Sequence, residues 1–132
     1  VDDISKVSNT NPQFPIIADA ECKVAFLYDM IDKRDLDNMA EKGIASTIRS
    51  TFVIDPAKQI RLTMMYPAST GRNPAEVLRV IDSLQMGDKK GVVPPIDSQV
   101  GDDVIVPSSL LTKDARKKFG NIREAKLYLR FT

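Results

Sequence analysis

The chain of 132 residues contains no histidine and no tryptophan, and it has one cysteine, Cys22. Histidine is the side chain whose ordinary pKa best suits proton transfer near neutral pH. Its absence excludes Ser-His and Cys-His catalytic pairs and histidine metal sites within these residues. One cysteine excludes a disulfide within the chain and a four-cysteine zinc cluster. A nearly cysteine-free chain is typical of a reducing compartment, so we expect a cytoplasmic protein.

The chain also lacks an excess of charge of either sign and long apolar runs. Nineteen Lys and Arg residues face eighteen Asp and Glu residues, for a net charge of +1. No broad electrostatic field therefore points to nucleic acid or an anionic membrane as a partner. No stretch of eighteen apolar residues occurs, which predicts no membrane span. With 42% hydrophobic residues, the composition suits one globular unit.

Up to residue 42, the pattern predicts one strand followed by one helix. Residues 1–13 are a polar lead-in without helical or strand period. The apolar run 14–18 predicts a buried strand, and apolar spacing predicts a helix over 20–31 with Asp19 as its N-cap. The charged segment 32–42 reads as a loop.

A hairpin and a helix are predicted next. Residues 47–54 are β-branched and aromatic, and apolar on both faces near the end, which favours a central strand. Asp55-Pro56 is typical of a type I turn, and the alternating residues 60–66 predict the returning antiparallel strand. An apolar stripe predicts a helix over 74–85, with Asn73 as N-cap.

After Gly87, glycine and proline interrupt the pattern repeatedly. We predict a short strand at 104–106, a helix at 112–119 and a final strand at 126–131. These interruptions suggest that the segment is an appended arm rather than part of the core.

Cys22 is the first candidate for chemistry, because a lone thiol can act as a nucleophile or redox centre. It lies early in the predicted helix, where the helix dipole favours a thiolate and Glu21 opposes it. No dedicated activating base is apparent, so an ordinary thiol is the competing interpretation.

Two arginines are the other candidates. Arg49 precedes an apolar strand, where it could bind an anion or polarised oxygen, or simply reach solvent. Residues 69–73, which include Arg72, precede a helix N-terminus and could bind an anion, although a loop with an N-cap also explains them. The basic stretch 113–118 reads as a solvated helix face.

Four segments occur in an order and spacing that resemble the 1-Cys peroxiredoxins. They are residues 14–19 (FPIIAD), Arg49 with 52–56 (FVIDP), 65–73 (MYPASTGRN) and 76–85 (EVLRVIDSLQ). Residues 95–97, 101–104 and 128–132 are similar to the C-terminal extension of that subfamily. The resemblance covers nearly the whole chain.

The resemblance implies an α/β, thioredoxin-like fold that is incomplete at its N-terminus. It divides the chain into a core part, 1–86, and a C-terminal extension, 87–132, that acts as a dimerisation arm in a homodimer. It implies reduction of a hydroperoxide substrate by a thiolate, which becomes a sulfenic acid and is restored by an external thiol reductant. Arg49 matches the family arginine that stabilises the thiolate and the peroxide oxygens, and Arg72 matches a second arginine of the supporting network. No cofactor, metal, nucleic acid or membrane partner is implied.

The chain departs from the family pattern at the peroxidatic cysteine. That residue lies in a Pro-x-x-x-Thr-x-x-Cys motif upstream of the similar segments, and this chain does not contain the motif. Because Cys22 lies in a different place, the peroxidatic role is not transferred to it. We therefore expect these residues alone to be inactive. The alternative is a non-catalytic dimerisation or interaction module, whose apolar segments 14–18 and 51–54 would favour association.

Overall fold

The computed structural model describes residues 2–31, 33–42 and 47–132. The chain divides into two compact units, Val1–Arg49 and Ser50–Thr132. The elements in chain order are α1 (Asp2–Ser8), α2 (Lys23–Leu27), α3 (Lys33–Lys42), β1 (Arg49–Ile54), β2 (Ile60–Tyr66), α4 (Pro74–Lys90), α5 (Thr112–Phe119), β3 (Arg123–Lys126) and β4 (Leu129–Phe131). Within the described ranges, no helix combines the length and apolar character needed to cross a membrane.

Two helices of the first unit occur where none was predicted. The lead-in contains α1, in which Ile4 and Val7 are three residues apart and so lie one turn from each other. The Ser8 hydroxyl donates to the Ile4 carbonyl at 2.6 Å near the end of α1. The segment predicted as a charged loop contains α3. Lys, Arg, Glu, Met and Ala all favour helices, so charge was a poor guide to a loop here.

The strand predicted at residues 14–18 is absent, and this prediction was wrong. Phe14 and Ile17 are 69% and 72% exposed. Among the described residues, strands pair only as β1 with β2 and β3 with β4. An apolar run forms a strand only where a neighbour completes its hydrogen-bond ladder, and none of the described strands does so here.

Helix α2 covers only part of the predicted range 20–31. Asp19 and Cys22 have positive φ angles of 43° and 53°, and Asp29 follows the helix with φ of 53°. These left-handed residues interrupt right-handed helical geometry on both sides. Five residues therefore remain helical, with Tyr28 as C-cap.

The predicted hairpin is present. The Lys58 amide donates to the Asp55 carbonyl at 2.9 Å, and the Asp55 amide donates to the Gln59 carbonyl at 3.0 Å. The Gln59 amide also donates to Asp55 Oδ1 at 2.9 Å, so the turn aspartate acts through both backbone and side chain. Among the described strands β1 pairs only with β2, so the expected central position of this strand stays a prediction.

Strand β2 follows the predicted alternation over most of its length. Leu62, Met64 and Tyr66 are half-buried, whereas Thr63 and Met65 are exposed. This is the pattern of a strand that covers one face of a core.

Helix α4 begins as predicted and runs farther than predicted. Asn73 Oδ1 accepts from the Ala75 amide at 3.0 Å, and Pro74 occupies the first helical position. The helix was expected to end near residue 85, but it continues through Gly87 to Lys90 and ends at Gly91, where φ is 65°. The division at residue 86 therefore lies inside α4, and the assignment of 1–86 and 87–132 to a core part and an extension stays a prediction.

A bidentate ion pair joins the hairpin to α4. Arg61 Nη1 and Nη2 donate to the Asp88 carboxylate at 2.8 and 2.9 Å. Asp55 lies 3.5 Å from the same guanidinium. Hydrogen bonds from Arg61 lower the pKa of Asp88. The pair thus links β2 and α4 through two residues that are 27 positions apart in sequence.

The segment interpreted as an appended arm contains the most deeply buried side chains of the second unit. Val106 and Ala115 have no exposed surface, and Val92 and Arg130 are 5% and 2% exposed. The segment therefore has buried side chains of its own, and its assignment as an extension or dimerisation arm stays a prediction. Frequent glycine and proline mark turns, but they do not indicate how the segments between the turns pack.

Helix α5 matches the predicted range 112–119, whereas the last two predicted strands differ. Residues 104–106 form hydrogen bonds to 130–132 and a bridge from Ile105 to Val93, without forming a separate strand. The strand predicted at 126–131 is the second half of a hairpin, because the chain turns at Leu127 and Tyr128 between β3 and β4.

Candidate functional site

Cys22 is a free, half-buried cysteine at the N-cap position of α2. Its side chain makes no capping hydrogen bond. The Asp19 carboxylate does so instead: Oδ1 accepts from the Val24 amide at 3.0 Å and Oδ2 accepts from the Ala25 amide at 2.8 Å. These hydrogen bonds lower the pKa of Asp19. The prediction of Asp19 as the capping group is therefore correct in its chemistry, although the helix begins later than expected.

The charge next to Cys22 is also already paired. The Lys23 ammonium forms an ion pair with the Glu21 carboxylate. Activated thiolates depend on helix amides or a free cation nearby. At Cys22, one carboxylate holds the helix amides and another holds the neighbouring lysine. The surroundings of Cys22 are those of an ordinary thiol.

Arg49 is the first residue of β1 and is exposed. The Ile48 amide donates to the Met30 carbonyl at 2.9 Å, which anchors the chain immediately before the arginine. The structure therefore presents Arg49 at a strand end, where its guanidinium is available to solvent or to an anion. This placement fits both interpretations made from the sequence.

Arg72 is exposed in the loop that leads into α4, one residue before the Asn73 N-cap. The Thr70 amide donates to the Pro67 carbonyl at 2.9 Å and closes a turn in this loop. The Ala75 amide is already bound by Asn73. Arg49 and Arg72 belong to different units, and each is described in its own surroundings.

The basic residues of α5 are exposed, as predicted for a solvated helix face. Lys118 Nζ lies 5.0 Å from the centre of the Phe119 ring. Nothing in this arrangement collects the charges into a binding site.

The sequence reasoning did not single out Arg130, which is 2% exposed. Its guanidinium donates to Thr112 Oγ1 at 3.0 Å, and to the carbonyls of Pro107 at 3.0 Å and Leu110 at 2.7 Å. Its Nε atom is buried without a hydrogen-bond partner. The signal that could have found it was an arginine placed between the apolar residues Leu129 and Phe131 in a strand pattern.

Comparison with known proteins gives consistent results. The mitochondrial peroxiredoxin PRX1 of Saccharomyces cerevisiae is 53% identical over 132 residues, which is 100% of this chain and 49% of that protein. The 1-Cys peroxiredoxin of Dictyostelium discoideum is 41% identical over 131 residues, 98% of this chain and 52% of that protein. The chain belongs to the 1-Cys peroxiredoxin family. No family model matches it.

Solved peroxiredoxin structures agree in fold. The yeast mitochondrial 1-Cys peroxiredoxin matches with a TM-score of 0.86 and 48% identity, over 99% of this chain and 62% of that one. Peroxiredoxin 6 of Arenicola marina, solved as a point mutant, matches with a TM-score of 0.84 and 37% identity, over 99% of this chain and 61% of that one. The expected partial thioredoxin-like α/β fold is thus confirmed.

The chain spans about half the length of the curated peroxiredoxins that it matches. It aligns with their C-terminal portion, as the resemblance implied. The relative from yeast is mitochondrial, so the cytoplasmic location inferred from cysteine usage stays a prediction for this chain.

Proposed function

We propose that this chain is the C-terminal part of a peroxidase that reduces hydrogen peroxide and organic hydroperoxides with a cysteine other than Cys22. The thiolate attacks the O–O bond, is oxidised to a sulfenic acid, and releases the second oxygen as an alcohol or water after protonation. Two equivalents of an external thiol then reduce the sulfenic acid and leave as a disulfide with water. In the matched yeast 1-Cys peroxiredoxin, thiol resolution runs through glutathione and thioredoxin systems, which fits an external thiol here.

The observation that carries the proposal is the environment of Cys22. A thiolate at an N-cap gains stability from the amides of the first helical turn. Here the Asp19 carboxylate accepts from two of those amides. A thiolate on Cys22 would compete with an existing anion for the same donors. The family relationship therefore supports peroxide chemistry, and the local structure argues against Cys22 as its nucleophile.

Arg49 and Arg72 are the groups that we propose this chain contributes. A guanidinium is permanently charged and offers several donors in a fixed plane, which suits stabilisation of a thiolate and of the charge that develops on peroxide oxygens. Both arginines are exposed, so each can receive a partner group. Arg49 is assigned to the reacting atoms and Arg72 to the network that supports them.

The test compares peroxide consumption by the 132-residue chain and by its Cys22→Ser variant in the presence of dithiothreitol. We expect both to match the background rate of dithiothreitol alone. A cysteine-containing peptide at equal concentration is the control for unassisted thiol oxidation. Turnover that depends on Cys22 at a rate comparable to an intact family member would contradict the proposal.

The role of Arg49 is tested in a longer form of the protein that carries the Pro-x-x-x-Thr-x-x-Cys motif. Arg49→Lys is expected to lower the rate of peroxide reduction about 100-fold, since removal of one donor to developing charge costs on that order. Arg116→Lys, on the exposed face of α5, is the matched control and should leave the rate unchanged. An unchanged rate in Arg49→Lys would remove Arg49 from the reaction.

Exposed apolar side chains support a second candidate function, a self-associating module. Phe14 and Ile17 are exposed in the first unit, and Ile96 and Leu127 are 90% and 82% exposed in the second. Covering such side chains with a second surface lowers the free energy of the system. Sedimentation equilibrium of the chain should then show a homodimer, and a monomer at high concentration would count against this candidate.

A further inference from the structure

We draw no further inference here: the strongest candidate, the first turn of α5, where the buried guanidinium of Arg130 donates to Thr112 Oγ1, carries none, because that guanidinium also donates to two backbone carbonyls and nothing in the described part of the chain points to a ligand at this turn.

Discussion

Replacing Arg130 with methionine measures the balance between a buried charge and the hydrogen bonds that it makes. The guanidinium is 2% exposed and donates to Thr112 Oγ1 and to the carbonyls of Pro107 and Leu110. These bonds connect the C-terminal strand to the loop before α5. In the part of the chain that the structure describes, no carboxylate lies within ion-pair distance of Arg130.

The magnitude follows from two opposing effects. Methionine removes the three hydrogen bonds of the guanidinium, at about 1–2 kcal/mol each. The Leu110 carbonyl then lacks this donor, whereas the Pro107 carbonyl still accepts from the Leu110 amide at 3.1 Å. The substitution also removes a buried charge and the unpartnered Nε atom, which returns about 1–3 kcal/mol. We therefore expect Arg130→Met to lower the free energy of unfolding by about 2 kcal/mol. Arg130→Lys should cost about half as much, because one ammonium replaces only part of the planar donor set.

Urea unfolding followed by circular dichroism measures this change. With a slope of about 2 kcal/mol per M urea for a domain of this size, the midpoint should fall by about 1 M. Arg116→Met on the exposed face of α5 is the control, with an expected loss below about 1 kcal/mol. A midpoint that is unchanged or higher in Arg130→Met would show that the buried charge costs as much as its bonds contribute, as happens in some buried ion pairs.

Two further predictions concern the Asp19 cap of α2 and the glycine that ends α4. The NMR signals of the Val24 and Ala25 amides should report protonation of Asp19 with a midpoint below about pH 3.9, the ordinary aspartate value, because the hydrogen bonds from these amides lower the pKa of Asp19. The stability that this cap contributes is present above about pH 3.9 and is lost as the pH falls through the midpoint. A midpoint at or above the ordinary value would contradict the assignment. Gly91→Ala should lower the free energy of unfolding by about 1 kcal/mol, because φ is +65° there. The control is Gly71→Ala, whose new Cβ meets no atom within 4 Å and which should change the free energy of unfolding by less than about 0.5 kcal/mol. Equal effects of the two variants in urea unfolding would argue against backbone strain at Gly91.

Elements with local signals were predicted well. Asn73 followed by proline marked the start of α4, and Asp55-Pro56 marked the hairpin turn, because caps and turns depend on residues only a few positions apart. Helix α5 also matched its predicted range, although its N-cap residue, Leu111, makes no side-chain capping hydrogen bond. Predictions failed where the outcome depended on a distant partner. Residues 14–18 have strand composition but no strand partner in the described structure.

In the candidate site, too, some features were predictable from the sequence and others were not. Arg49 and Arg72 were found by their place in a family pattern, and the structure adds that both are exposed. The surroundings of Cys22 were less predictable. Sequence placed it in the first turn of a helix with a helix dipole in its favour, but the chain bends so that Asp19 accepts the amides of that turn. Backbone angles that spacing does not reveal decided this point.

The sequence by itself determined the resemblance to the 1-Cys peroxiredoxins, and it showed that these 132 residues contain no histidine and no Pro-x-x-x-Thr-x-x-Cys motif. These points depend only on which residues are present and in what order. Tertiary structure alone decided that the C-terminal segment contains buried side chains and that Arg130 is enclosed. Each of these depends on contacts between residues far apart in the chain. Burial and electrostatic environment are properties of such contacts, so local sequence patterns do not specify them.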